Sequence, residues 1–156
     1  MSRCPGLFGV AFLFAGLIPG TLPAQNDAII TRIVDQFNAI ENLLPRMQSI
    51  QVNGEHTESN YGVGKVTIWL DQQTGYAKSK NELQAGNSTE VQEMWMSGND
   101  ILFVFERSEW RSDDGSVDVN EMRYYMHQGR VIREMTRRAT FQRGQDLDIS
   151  KMPHET

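Results

Sequence analysis

From Pro45 onward a turn signal interrupts the chain about every ten residues, and this rhythm restricts the fold more than any other feature. The punctuation is Gly62/Gly64, the Asp71–Gly75 stretch, Ala85-Gly86-Asn87, Ser97-Gly98-Asn99-Asp100, Ser112-Asp113-Asp114-Gly115 and Gln128-Gly129. Between these signals the character of the residues alternates with period two. That pattern predicts strands over 48–58, 64–71, 75–84, 89–97, 100–110, 117–127 and 130–141. Connections this short join antiparallel neighbours, because a parallel pair needs a long crossover. The expected sheet is a six- to seven-stranded antiparallel meander, open or rolled into a half-barrel.

Upstream the period is different. Ile29, Ile30, Ile33, Val34, Phe37, Ile40, Leu43 and Leu44 recur at three- and four-residue spacing, which predicts an amphipathic helix over 26–44 with one apolar stripe. Asn26 or Asp27 can cap its start, and Pro45 stops it. One helix followed by a meander gives an α+β fold, with the helix lying across one sheet face.

Residues 1–24 read as a cleavable signal peptide. Arg3 supplies the positive start, Leu7 to Ile18 the apolar run, and Leu22-Pro23-Ala24 a small residue at the cleavage point. The apolar run is shorter than the roughly 20 residues a membrane span needs. Export implies a periplasmic or secreted mature chain with no membrane span. The domain then covers 25–141, and 142–156 form a polar, disordered tail. The only cysteine, Cys4, lies in the leader, so disulfides, CxxC redox chemistry and a cysteine nucleophile are excluded from the mature domain. Losing Arg3 takes the formal charge from −5 to −6, which disfavours nucleic acid and anionic membranes as partners.

The turns also register two hairpins. With Gly98-Asn99 as a two-residue loop, Met96 faces Ile101, Trp95 faces Leu102 and Met94 faces Phe103. With Gln128-Gly129 closing the last hairpin, Met126 faces Val131, Tyr125 faces Ile132, Arg123 faces Glu134 and Arg133 lies beside Tyr124. The Val/Ile/Leu/Met/Phe face, with Val66, Ile68 and Leu70, is then the natural partner of the helix. Trp69, Trp95, Leu102, Val104, Tyr125 and Ile132 remain on the other face, among charges. Either sheet curvature, the first strand or the tail covers that second face, or it is a ligand or partner surface. Arg133 either stacks on Tyr124 and reaches the rim, or holds an anionic head group.

No motif points to catalysis. His56, His127 and His154 are far apart and form no metal-ligand pair, so no metal or cofactor is expected. The stretch Asp113 to Asp118 lacks the calcium-loop order and reads as a solvated turn. There is no GxSxG elbow and no phosphate loop. Glu106/Glu109 and Glu90/Glu93 point to opposite sides of their strands. Asn87-Ser88-Thr89 fits a glycosylation sequon.

The run Glu121-Met-Arg-Tyr-Tyr-Met-His-Gln-Gly-Arg-Val-Ile-Arg133 resembles the E-x-R-Y-Y/F-x-x-x-G-K-L-I-R hairpin of small exported bacterial proteins of unknown function. The run Met94-Trp-Met-Ser-Gly-Asn-Asp-Ile-Leu-Phe-Val-Phe105 is similar to their Y-Y-F-x-x-G-x-L-I-F-V hairpin. The likeness implies a helix with an antiparallel meander and brings no activity with it. A looser similarity links the chain to the half-barrel lipoprotein carriers of the periplasm, although this chain is shorter and lacks their diagnostic motifs. The sequence therefore predicts a non-enzymatic exported module that binds a protein or an amphiphilic small molecule through the Trp-bearing face. The alternative is a periplasmic carrier holding a lipid or other amphiphile between helix and sheet, and an enzyme built on scattered carboxylates ranks third.

Overall fold

A computed structural model describes residues 23–56 and 62–154 of the chain. The proposed signal peptide lies almost wholly outside these described residues. Helix α1 runs Pro23–Leu43 and passes into a single 3-10 turn at Leu44–Arg46, where Pro45 ends the α-helical hydrogen bonding. It begins one turn before the expected caps, because a proline is well tolerated in a first helical turn. Among the described residues no helix is long and apolar enough to cross a membrane.

Seven strands follow: β1 Gln48–His56, β2 Gly62–Asp71, β3 Tyr76–Ala85, β4 Ser88–Ser97, β5 Asp100–Arg111, β6 Val117–His127 and β7 Arg130–Phe141. They form one open antiparallel sheet in strict chain order. The last hairpin closes on Gln128 and Gly129, both with positive φ, 51° and 72°, as a two-residue primed turn requires.

The helix packs on the sheet face opposite to the one expected. Ile33 and Ile40 are buried against Trp95, Leu102 and Phe103, with Ile29, Phe37, Phe105, Tyr125 and Ile132 around them. The cause is a pair of β-bulges. Met96 pairs with Ile101 and Met126 with Val131, as the turns predict, but Trp95 then pairs with Phe103 and Tyr125 with Arg133. Leu102 and Ile132 are the extra residues, and each turns into the core beside its neighbour. Beyond each bulge the register is one residue away from the simple hairpin, so Trp95, Phe103, Phe105 and Tyr125 share a face. Aromatic rings remove more surface from water than aliphatic side chains do, and the helix stripe settles on them.

That exchange leaves the aliphatic face in water. Ile50, Val52, Val66, Ile68, Leu70 and Leu83 are all exposed, on the side away from the helix. Val104 is on this side too, opposite Met94 and Tyr124.

The polar tail also differs from expectation. Residues 142–154 return to the helix-side face, where Ile149 is 2% exposed in a second cluster with Val117, Val119 and Phe141. Leu147 packs beside it, and its carbonyl accepts a hydrogen bond from Arg107 Nη2 at 3.1 Å. Two apolar side chains at i, i+2 suffice to anchor the segment to the bare end of the sheet. The helix therefore covers one end of this face and the tail the other.

Candidate functional site

Between the helix and the middle of the sheet is a cleft of about 380 Å³. The helix contributes Ile33, Val34, Phe37, Asn38 and Glu41, and β3 to β6 contribute Lys78, Glu93, Trp95, Phe103, Phe105, Arg123 and Tyr125. Val34 lies on the margin of the apolar stripe, partly exposed, because the helix rests on one flank and opens on the other.

Its walls are a chain of aromatic contacts. Phe37 lies 4.9 Å from Trp95 and 5.5 Å from Phe103, the latter edge-on, and Trp95 is 5.3 Å from Phe103. Phe103 is in turn 5.0 Å from Tyr125. These separations fall within the range where ring quadrupoles favour tilted and edge-to-face pairs.

The polar side of the cleft is held by Lys78, which is only 7% exposed. Its ammonium meets Glu41 Oε1 at 2.8 Å and Glu93 Oε2 at 3.0 Å, and stands 4.4 Å from the Trp95 ring centroid. Glu41 Oε1 also accepts a hydrogen bond from Trp95 Nε1 at 2.6 Å. A single carboxylate from the helix thus ties down both a buried cation and the central indole. Burying Lys78 is tolerable because it has two counter-charges and an aromatic face.

Arg123, at the other side of the cleft, is held more loosely. Its Nη2 is 3.6 Å from Glu121 Oε2, too far for a good hydrogen bond, and its guanidinium carbon is 5.9 Å from the Phe105 centroid. Glu121 gives its other oxygen to Arg107 Nη1 at 2.9 Å. Nearby, the Nε of Arg137 is buried without a hydrogen-bond partner among the described residues. Burial holds the His154 imidazole below its usual range, and the neighbouring Arg137 and Arg123 guanidinium groups push it the same way.

The residues singled out from the sequence are distributed as follows. Trp95 and Tyr125 line the cleft, and Leu102 and Ile132 belong to the core under the helix, so none of these four forms an open surface. Trp69 is partly exposed near the rim, its ring 6.0 Å from Lys78 Nζ. Val104 is on the opposite face and cannot act with them. Arg133 is opposite Tyr125, not beside Tyr124, and its Nη2 meets Asp27 Oδ1 of the helix at 2.6 Å. Its anion is internal. Arg123 is opposite Met135 and makes no pair with Glu134.

Sequence reasoning assigned none of Phe37, Glu41, Lys78, Glu93 and Arg123 to a site: Phe37 reads as part of the helix stripe, Arg123 as the cross-strand partner of Glu134, and Lys78 is not singled out at all. Lys78 alternates with Lys80 and Glu82 in a way that reads as a solvated strand face, and nothing local signals its pairing with a helix residue 37 positions away. A larger hollow of about 540 Å³ on the opposite face, lined by Val66, Asn81, Leu83, Gln92, Glu106 and Met122 among others, contains no aromatic ring. Among the described residues no cluster of three or more His, Cys, Asp or Glu is placed to hold a metal ion. Asp114 accepts from Ser116 N at 2.9 Å and Ser116 Oγ at 2.7 Å, which makes the acidic 113–118 stretch a self-bonded turn. No protein-family model matches this chain, and no curated protein or solved structure matches it either.

Proposed function

We propose that this is an exported binding domain that takes a small anionic amphiphile into the cleft between helix and sheet. The supporting observation is the lining itself: Phe37, Trp95, Phe103, Phe105 and Tyr125 surround the space, with Lys78 at one side of it and Arg123 at the other. Ligand pockets run from about 300 to 1,000 Å³, so this one suits a single short acyl chain or a fused ring system, not a two-chain lipid. Lys78 is already balanced by Glu41 and Glu93, whereas Arg123 keeps donors available. A carboxylate or sulfonate head would complete the Arg123 fork. Glu41 and Glu93 are both engaged by Lys78, which favours binding over acid–base turnover.

Native mass spectrometry of the protein taken from its own compartment, followed by titration with decanoate, decanol and anilinonaphthalene sulfonate, tests this reading. Decanoate is expected to bind and to shift tryptophan emission through Trp95. Val34→Phe fills the cleft from its exposed margin and is expected to weaken decanoate by about tenfold or more, roughly 1.4 kcal/mol. Arg123→Gln should weaken decanoate and leave decanol unchanged. Binding that is indifferent to Val34→Phe, or an empty protein that takes none of the probes, would overturn the proposal.

A further inference from the structure

The two edges of the sheet are built differently. Strand β7 carries four arginines and a bulge, the devices by which open edges are kept from pairing with other chains. Strand β1 has none of them. Its run from Gln48 to Gly54 contains no charge and no proline, and its pairing with β2 is continuous over nine residues. Every residue from Gln48 to Gly54 is exposed, with Ile50 and Val52 at 69% and 61%. Among the described residues no segment pairs with its outer side.

We infer that β1 is a homodimerisation edge, pairing antiparallel with β1 of a second copy about a two-fold axis at Gln51. An added strand satisfies a whole row of free N–H and C=O groups at once, and a two-fold axis perpendicular to the sheet beside β1 generates the antiparallel sense used everywhere else in this sheet. With the axis at Gln51, Ile50 is opposite Val52 of the second copy, Ser49 opposite Asn53 and Gln48 opposite Gly54. The most exposed aliphatic side chains of the strand thereby acquire apolar cross-strand partners. In a chain of formal charge −5, this is a stretch that can meet its own copy without setting like charges against each other. A second copy fits these requirements without any further component, and the result is a continuous sheet through both protomers.

Sedimentation velocity at micromolar concentration should give twice the monomer mass. Val52→Lys, at a side chain the fold does not bury, should give monomers with an unchanged circular dichroism spectrum and a melting temperature that no longer rises with protein concentration. Ile68→Lys, on the same face but one strand inward, should leave the dimer intact. A monomeric parent protein overturns the inference. So does a dimer that survives Val52→Lys, or one that both variants dissociate, since the latter means face-to-face packing. In a Cys4→Ser background, Gln51→Cys should cross-link to itself on oxidation, because facing Cα atoms about 4.5–5.5 Å apart are within reach of a disulfide. Ser49→Cys should not, and equal cross-linking of the two would also refute the axis.

Discussion

At the scale of single residues, Glu41 contributes more than its surface position suggests. Its Oε1 accepts from both Lys78 Nζ and Trp95 Nε1, so removing it strips a partner from a buried cation and a buried indole together. Glu41→Ala is expected to cost about 1–3 kcal/mol, read as a lower urea midpoint at unchanged slope. Glu41→Gln, which keeps an acceptor for the indole, should fall between. Tyr124, on the opposite face, gives a pH-dependent prediction. Burial, with Glu106 and Glu134 alongside, pushes its phenol from 10.0 up to about 12. Between those values the folded chain keeps a proton that the unfolded chain releases, so its contribution to stability falls as pH rises from about 10 to 12. Alkaline absorbance should therefore show a late tyrosine phase near pH 12, and Tyr124→Phe should remove that phase and flatten the alkaline decline in stability.

At the scale of elements, the bulges and the tail are what the sequence concealed. Strand limits were legible because glycines and Asn/Asp pairs mark the turns, and the observed β4, β6 and β7 fall within a residue of expectation. Which face each strand presents was not. Leu102 and Ile132 look like ordinary strand residues, yet each is an insertion that reassigns every position beyond it. The aromatic half of the cleft can therefore be named from sequence, as Trp95 and Tyr125, but on the sheet face away from the helix, either covered by other parts of the chain or open to a ligand, and not in the space under the helix. The tail was misread because its many charges outweighed Leu147 and Ile149. Ile149→Ala is expected to cost about 2–4 kcal/mol while leaving Trp95 emission unchanged, because the two clusters share no buried residue. Docking of the tail should also weaken in acid. The folded tail holds the His154 pKa below 6.5, so a released tail takes up the proton more readily, and the advantage of docking is lost as pH falls below that value. Limited proteolysis within 142–154 should accelerate accordingly, and less so in His154→Gln.

For the molecule as a whole, the α+β class and the antiparallel meander were both readable, because a 3.6-residue stripe followed by a period-two run admits few arrangements. The helix shields one side of the sheet and leaves the other bare, with the sides exchanged from expectation: the bare side carries Ile50, Val52, Val66 and Ile68, and Trp95 is buried on the side under the helix. Selection between the faces depended on two inserted residues and on ring volume, neither of which leaves a periodic trace. The strand order has a consequence for how such a chain comes to be folded. Each strand pairs only with its predecessor and its successor, so no segment must wait for a distant one before its backbone is satisfied. A chain that emerges end-first during synthesis can zip up hairpin by hairpin as it arrives. Among the described residues, it is the stretch 142–154 that must travel back across finished structure to reach its place.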